Sequence, residues 1–273
     1  MKNALKVFVL VAGIFLAYGT AAYAATDFNG KWLGEKPEWA PDVYVNSAFL
    51  TKYIWRGQNL GDEPVIQNDY SLSKWGLTLD LWTNYSLNTD KSKDAGRYQE
   101  YTEIDYTVSY FMNFGKTADM LKTTCPELLK PLNFTTGYTY YTFPNVDWSS
   151  RLFDTNEVFF GTSYDCLLKP SFTWYWDVDQ GKGSYYKFGI SHTFELPGGI
   201  TANVGTTIAY NDEQWTTRSG WSDMNFTGSI TIPFLGYFTV TPTVSYSLIL
   251  DRDTYEDAQS DQFYGGLVVA FAY

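Results

Sequence analysis

Residues 262–273, at the end of the chain, read QFYGGLVVAFAY and alternate with the period of two that is typical of a β-strand. One face of this strand carries Phe263, Gly265, Leu267, Val269, Phe271 and Tyr273. The other face carries Gln262, Tyr264 and small residues. The ends of soluble proteins are usually poorly ordered unless other parts of the chain hold them in place. We therefore expect this apolar strand to be paired and covered.

The same stretch resembles the closing strand of bacterial outer-membrane barrels. In those proteins the last aromatic residue is part of the signal that the barrel-assembly machinery reads. The resemblance implies that this machinery is a partner of the chain through its C-terminal strand. It also implies that the strand ending at Tyr273 pairs with a first strand near Val43. One departure is Val268, which stands where a glycine is often found.

The beginning of the chain predicts export. Lys2 and Lys6 precede the apolar run 7–17, and residues 22–24 read AYA, a small-residue cleavage site. The apolar run is shorter than the roughly 20 residues that a spanning helix needs. We therefore expect residues 1–24 to be a Sec signal peptide.

The composition favours a membrane barrel. The mean hydropathy of -0.25 argues against a helical membrane protein, and 19% of the residues are aromatic. Aromatic girdles at both lipid interfaces would account for this excess, although carbohydrate-binding sandwiches can also be rich in aromatic residues. The net charge of -11, without a basic cluster, argues against nucleic acid as a partner.

From residue 43 onward, alternating segments are separated by turn chemistry, and short turns alternate with longer polar loops. A soluble sandwich would have no reason to show that alternation. We predict an all-β fold, a transmembrane antiparallel up-and-down barrel over 43–273, with 25–42 as a periplasmic N-terminal arm. The twelve predicted strands are 43–56, 64–73, 75–86, 98–113, 132–143, 154–165, 169–178, 185–196, 200–210, 223–233, 237–250 and 262–273.

The cysteines and the single histidine limit the chemistry. Cys125 and Cys166 fall in predicted turns on the periplasmic side, so we expect one disulfide, with two free thiols as the alternative. His192 shares a predicted lipid-facing side with Phe194, while Ser191 points to the opposite side. A Ser-His catalytic pair therefore cannot form there. We expect no metal site, no cofactor and no enzymatic activity, with a barrel enzyme as an alternative class.

Two short motifs resemble a known family. Residues 47–57 read SAFLTKYIWRG and residues 64–67 read PVIQ. They resemble the opening motif of the TorF-type porins, the Gcw_chp family, which has a Ser, then Tyr-x-aromatic-Arg-Gly, then Pro-x-x-Gln. Glu157 and the WYWD run at 174–177 are weaker echoes. The resemblance implies a porin in the bacterial outer membrane of a Gram-negative cell, in contact with lipid and lipopolysaccharide.

The polar faces of the predicted strands define a candidate lumen rich in carboxylates. Such a lining favours passage of cations or neutral polar solutes. We therefore expect a channel for passive diffusion of small polar solutes. The predicted pore-lining residues are Lys52, Arg56, Gln67, Asp69, Asp80, Glu103, Asp105, Glu157, Asp177 and Lys187.

Arg56 is the residue that we expect to matter most, because it is a charged residue next to a glycine at the outer end of a strand. A closed barrel with a structural or surface-binding role is the alternative to a channel. Its interior would be packed with ion pairs such as that of Arg56 with Glu103 or Asp105. Arg56 could instead hold the first extracellular loop through Asp62 or Glu63.

Overall fold

The computed structural model describes residues 36–88, 99–145 and 154–273. The predicted signal peptide lies outside these residues, as does most of the predicted arm. Residues 36–41 form no strand, and the first strand begins at Asp42. No helix in the described ranges combines the length and the apolar character needed to cross a membrane.

Twelve strands form a closed antiparallel barrel, which confirms the predicted fold class. Neighbours in the chain are neighbours in the wall, and the last strand returns to the first. The strands of the wall are β1 (Asp42–Leu50), β4 (Val65–Lys74), β5 (Leu77–Ser86), β6 (Tyr101–Asn113), β7 (Leu132–Thr142), β8 (Thr155–Tyr164), β9 (Ser171–Asp177), β10 (Ser184–Glu195), β11 (Thr201–Asp212), β12 (Gly220–Phe234), β13 (Phe238–Ile249) and β14 (Gln262–Ala272). Two short strands, β2 (Tyr53–Trp55) and β3 (Gln58–Gly61), form a separate two-stranded sheet.

The barrel is closed by the pairing that the terminal sequence predicts. Strands β1 and β14 are antiparallel neighbours, with Val45 opposite Phe271. The amide of Val43 donates to the carbonyl of Tyr273 at 2.8 Å, and the amide of Tyr273 donates to the carbonyl of Val43 at 2.9 Å. These two bonds leave the closing strand without a free edge at this point, which is what a barrel achieves.

The first predicted strand, 43–56, is too long. Strand β1 ends at Leu50, and the chain then leaves the wall and reverses at Arg56 and Gly57, whose φ angles are 50° and 78°. Both values lie in the left-handed region, which a continuous strand does not use. The alternation that suggested one long strand therefore belongs to two elements separated by Thr51 and Lys52.

The register sorts every side chain of the wall to one of two faces, because residues paired across neighbouring strands share a face. The outward face is apolar on strands all around the barrel and is exposed there. Its exposed members include Phe49, Leu72, Leu79, Val108, Phe160, Ile190, Val204, Phe226, Val244 and Leu267. An exposed apolar surface of this extent needs an apolar environment rather than water.

The two ends of the barrel differ in their connections. At the end that we call the short-turn end, most turns are brief, as at Trp75-Gly76. The longest turn there contains α1 (Phe114–Met120), whose first turn is capped by the Asn113 side chain accepting from the amide of Lys116 at 2.9 Å. The opposite end, the long-loop end, carries 51–64, 178–183, 213–219 and 250–261, which connect neighbouring strands of the wall.

The predicted disulfide is wrong, because both cysteines are free. Each thiol belongs to a different turn at the short-turn end. The Cys125 thiol donates to the carbonyl of Pro126, 3.6 Å away in the same turn. Cys166 is exposed in the turn after β8. Placement on the same side of the barrel therefore does not bring the two sulfur atoms into a bond.

Candidate functional site

Residues 51–63, which we call the inner hairpin, fold into the lumen at the long-loop end. Tyr53 donates from its hydroxyl to Glu103 Oε2 of β6 at 2.8 Å. The Trp55 ring lies edge-on to the ring of Tyr141 of β7, with 6.5 Å between centroids. Since the hairpin starts at the seam of β1 and β4, contacts with β6 and β7 require it to cross the interior. Burial, and then the charge of Glu103, raise the pKa of Tyr53, so its hydroxyl stays a donor.

Arg56, at the tip of the inner hairpin, forms a buried bidentate ion pair with Glu157 of β8. Its Nη1 lies 2.6 Å from Oε2 and its Nη2 lies 2.8 Å from Oε1. The two side chains are 9% and 2% exposed. Paired fork geometry is the strongest arrangement available to an arginine and a carboxylate. Burial alone would lower the pKa of Arg56, but attraction to Glu157 outweighs it and the pKa is raised.

Two further groups complete the hydrogen bonding of Glu157. The Tyr141 hydroxyl donates to Oε1 at 3.0 Å, and Gln214 Nε2 donates to Oε2 at 2.9 Å. Gln214, in the loop after β11, also accepts from Arg56 Nη1 through its side-chain oxygen. A buried charge is expensive unless its remaining bonding capacity is used. Here the carboxylate accepts from three side chains.

Aromatic rings surround the guanidinium of Arg56. Its central carbon lies 4.2 Å from the ring centroid of Tyr175, 4.5 Å from that of Trp55 and 5.0 Å from that of Tyr185. Cation–π attraction is stronger when the groups are withdrawn from water, as they are here. We call the set of Glu157, Gln214, Tyr141, Tyr175, Tyr185 and Trp55 the Arg56 cage.

A glycine allows the tip of the inner hairpin to seat this deeply. A Cβ on Gly57 would lie 2.7 Å from the Tyr255 hydroxyl and 2.8 Å from Asp223 Cβ. The Tyr255 hydroxyl donates to the carbonyl of Arg56 at 2.7 Å. Burial, and then the charge of Asp223, raise the pKa of Tyr255 and keep it protonated. The loop before β14 therefore holds the hairpin tip through Tyr255.

A row of carboxylates follows the interior face of β4, β5 and β6. The Ser71 hydroxyl bridges Asp69 at 2.9 Å and Asp80 at 2.8 Å. Asp105 is 8% exposed, and its Oδ1 has no hydrogen-bond partner among the described residues. Within the same ranges, no group of His, Cys, Asp or Glu is arranged to hold a metal ion. The row therefore brings several carboxyl groups close together inside the barrel.

The interior differs sharply between the two ends. Towards the long-loop end, interior residues such as Ser247 and Asp223 are buried, at 0% and 4% exposure. Towards the short-turn end, Thr227 is exposed and Thr241 is half-exposed, although both point inwards. The lumen is therefore filled at the long-loop end and open to solvent towards the short-turn end. We call the open part the vestibule.

Most of the predicted pore-lining residues lie on the interior face of the wall, as judged from the register. They are Gln67, Asp69, Asp80, Glu103, Asp105, Glu157, Asp177 and Lys187. Asp177 accepts from Thr155 at 2.8 Å and from the amide of Gly181 at 2.9 Å, so it holds the loop after β9. Lys187 lies over the Tyr175 ring at 5.3 Å.

Two predicted site residues lie elsewhere than predicted. Lys52 and Arg56 belong to the inner hairpin, not to a strand of the wall. Arg56 pairs with Glu157 and not with Glu103 or Asp105, because the hairpin carries it across the lumen to β8. The alternative prediction, that Arg56 holds the first extracellular loop through Asp62 or Glu63, is also wrong. Asp62 instead forms an ion pair with Lys52, at 2.8 Å. The hydrogen bonds that Asp62 accepts from Lys52 and from Asn59 lower its pKa.

Several residues of the site escape a reading of the sequence. Tyr175 and Tyr185 sit opposite each other on the interior face of β9 and β10, and Gln214 and Tyr255 come from long loops. In the sequence, these two tyrosines stand out as aromatic residues on strand faces that are otherwise polar, which is the signal that could have placed them in the site. His192 lies on the outward face, with Nδ1 2.8 Å from the carbonyl of Leu167.

The fold and the site define a class: a closed β-barrel with an apolar exterior, a polar interior and a mouth filled by its own chain. No protein-family model matches the sequence, and no curated protein sequence matches it. Among solved structures, the chain is similar to an outer-membrane channel from Pseudomonas putida F1, at 10% identity over 92% of this chain and 99% of that chain, with a TM-score of 0.49. It is also similar to the NanC porin, at 11% identity over 85% of this chain and 99% of that chain, with a TM-score of 0.46. A third similar structure is OmpF of Salmonella typhi, at 7% identity over 85% of this chain and 97% of that chain, with a TM-score of 0.39.

Proposed function

We propose that the protein is an outer-membrane channel for small polar or cationic solutes, and that the inner hairpin keeps its outer mouth closed. The observation that carries this proposal is the contrast inside the lumen. Solvent-exposed threonine and serine side chains line the vestibule, whereas the inner hairpin, which is not part of the wall, fills the other end. A lumen meant only to be filled would need no solvent-exposed interior.

The exterior supports the location in the outer membrane. Apolar side chains are exposed on strands all around the wall, and outward aromatic rings stack towards the long-loop end. The Trp174 ring lies 6.1 Å from that of Trp176 and 6.4 Å from that of Tyr186. An apolar band bordered by aromatic residues is typical of transmembrane barrels. The motifs at 47–57 and 64–67 favour the TorF-type porins as the family.

The interior supports a preference for cations. On the described strands, no basic row matches the row of Asp69, Asp80, Glu103 and Asp105. The guanidinium of Arg56 is already neutralised by Glu157. A path lined by carboxylates raises the local concentration of cations. With the hairpin withdrawn, the passage would therefore be acidic.

Conductance in planar lipid bilayers tests the proposal. We expect the unaltered protein to show small or brief current steps, and Arg56→Ala to show larger, cation-preferring steps because the ion pair that holds the hairpin is lost. Arg218→Ala is the matched control, because Arg218 is exposed and pairs with Asp253 at 3.6 Å outside the lumen. It should behave like the unaltered protein.

The closed barrel is the competing function, and the packed mouth is the observation that favours it. It predicts no current from the unaltered protein or from Arg56→Ala. Liposomes containing the folded Arg56→Ala variant would then also fail to swell in small sugars. That pair of results would overturn the channel.

A further inference from the structure

We propose that the Arg56 cage is a guanidinium-recognition site of the channel wall, and that Arg56 occupies it as a tethered substitute for guanidinium-bearing solutes. Such a solute would take the place of Arg56 and so favour the open mouth. This inference rests on the proposed channel function for its role in opening, but the site itself can be tested without any current.

The cage belongs mainly to the wall and not to the hairpin. Tyr141, Glu157, Tyr175 and Tyr185 lie on the neighbouring strands β7, β8, β9 and β10. Their pairing does not involve the inner hairpin. If the hairpin leaves, only Trp55 leaves with Arg56. The remaining groups still present a carboxylate and two rings at the distances that now hold a guanidinium.

The geometry selects a planar cation. Glu157 receives two parallel N–H bonds from Arg56, while the rings of Tyr175 and Tyr185 lie within 5.0 Å of the guanidinium carbon. An ammonium group is a compact point charge that cannot present this fork or stack in the same way. Guanidinium solutes should therefore bind better than ammonium solutes of the same charge.

The charge of Glu157 favours binding of a cation when Arg56 is withdrawn. Without Arg56, the donors that remain to the Glu157 carboxylate among the described residues are the neutral groups of Tyr141 and Gln214. A buried charge without a counter-charge is strongly unfavourable. A solute guanidinium removes that penalty only when the hairpin is out, since the site is otherwise occupied. A ligand that binds one of two states shifts the population towards that state.

Thermal unfolding of the folded barrel tests the site, with methylguanidinium chloride at low millimolar concentration as the probe. We expect methylguanidinium to raise the unfolding temperature of Arg56→Ala in a saturable manner. Methylammonium chloride at the same concentration controls for charge and ionic strength and should have at least an approximately tenfold weaker apparent affinity. The double variant Arg56→Ala/Glu157→Gln should lose the effect of methylguanidinium.

If Arg56→Ala does not fold alone, its refolding yield with each cation becomes the measurement. Rescue by methylguanidinium but not by methylammonium would support the site. Equal effects of the two cations, no saturable effect, or an effect that persists without the Glu157 charge would overturn it.

Currents from the same variants separate this inference from the proposed function. Arg56→Ala that conducts, without any response to methylguanidinium in current or unfolding temperature, keeps the channel and overturns the guanidinium site. Arg56→Ala that is stabilised by methylguanidinium but never conducts supports the site and overturns the channel. For the unaltered protein, methylguanidinium should raise the fraction of time spent open, and methylammonium should not.

Discussion

The long-loop end and the short-turn end of the lumen are built by the same strands, yet their interior side chains differ in burial and in hydrogen bonding. At the long-loop end, charges and amides are buried, and the Glu157 carboxylate is held by Arg56 and Gln214. At the short-turn end, several interior side chains, such as Ser171, Ser191 and Thr227, are small, hydroxylated and exposed. The first arrangement depends on the pairing of the buried Glu157 charge, and the second depends on no such pair. Substitutions should therefore cost much at one end and little at the other.

The largest expected effect is that of Glu157→Gln. It leaves the Arg56 guanidinium without an anionic partner, and breaking a buried pair costs about 3–5 kcal/mol. The measured loss in the free energy of unfolding has a limit, because expelling the hairpin returns Arg56 to water. Urea unfolding in lipid vesicles, together with the bilayer current, should show both a less stable barrel and a more open mouth.

Glu195→Gln is the control for that substitution. Glu195 is exposed on the interior face of β10 at the short-turn end, opposite Thr201. Its replacement should change the free energy of unfolding by less than about 0.5 kcal/mol. Equal losses for the two variants would show that the two ends do not differ in the way described.

Gly57→Ala should have the next largest effect. The new Cβ would lie 2.7 Å from the Tyr255 hydroxyl, and the φ of +78° is unfavourable for alanine. Overpacking and left-handed strain together cost about 2–4 kcal/mol. The hairpin tip should therefore be displaced, which raises the current and lowers the unfolding temperature.

Gly198→Ala provides the comparison at the short-turn end. Gly198 has a φ of +81°, but a Cβ added there would have nothing within 4 Å. Only the conformational strain applies there, at about 1–2 kcal/mol, and the current should not change. A change of current in Gly198→Ala would mean that the short turns also control the passage.

The wall could be predicted from the sequence far better than the mouth could. Period-two alternation and turn residues predict the strands because most wall residues follow the same local rule, apart from register shifts such as the one at Ala209 and Tyr210. Gly57 marks a reversal for a different reason, the close approach of Tyr255 from a long loop and of Asp223 from β12, both distant in sequence. The sequence draws attention to Arg56 but does not identify its partner. The choice of Glu157 over Glu103 depends on how far the hairpin crosses the lumen.

Tyr255→Phe should have a smaller effect on the same end. It removes the hydroxyl that donates to the Arg56 carbonyl at 2.7 Å and leaves that buried acceptor without this bond. The expected loss is about 1–2 kcal/mol in the free energy of unfolding. Tyr246→Phe is the matched control, because the Tyr246 hydroxyl bonds to Asp261 at 3.0 Å on the exposed surface. If both variants lost the same stability, the contact with the hairpin tip would have no special weight.

Thr227→Ala should have the smallest effect, since Thr227 faces the vestibule and is already exposed to solvent. Its hydroxyl lies 3.5 Å from the carbonyl of Gly205, at the limit of a hydrogen bond, and water can replace that contact. The free energy of unfolding should change by less than about 0.5 kcal/mol, and the single-channel current should be unaltered. A loss comparable to that of Tyr255→Phe would mean that the short-turn end is packed too, and that solvent does not reach the hairpin from below.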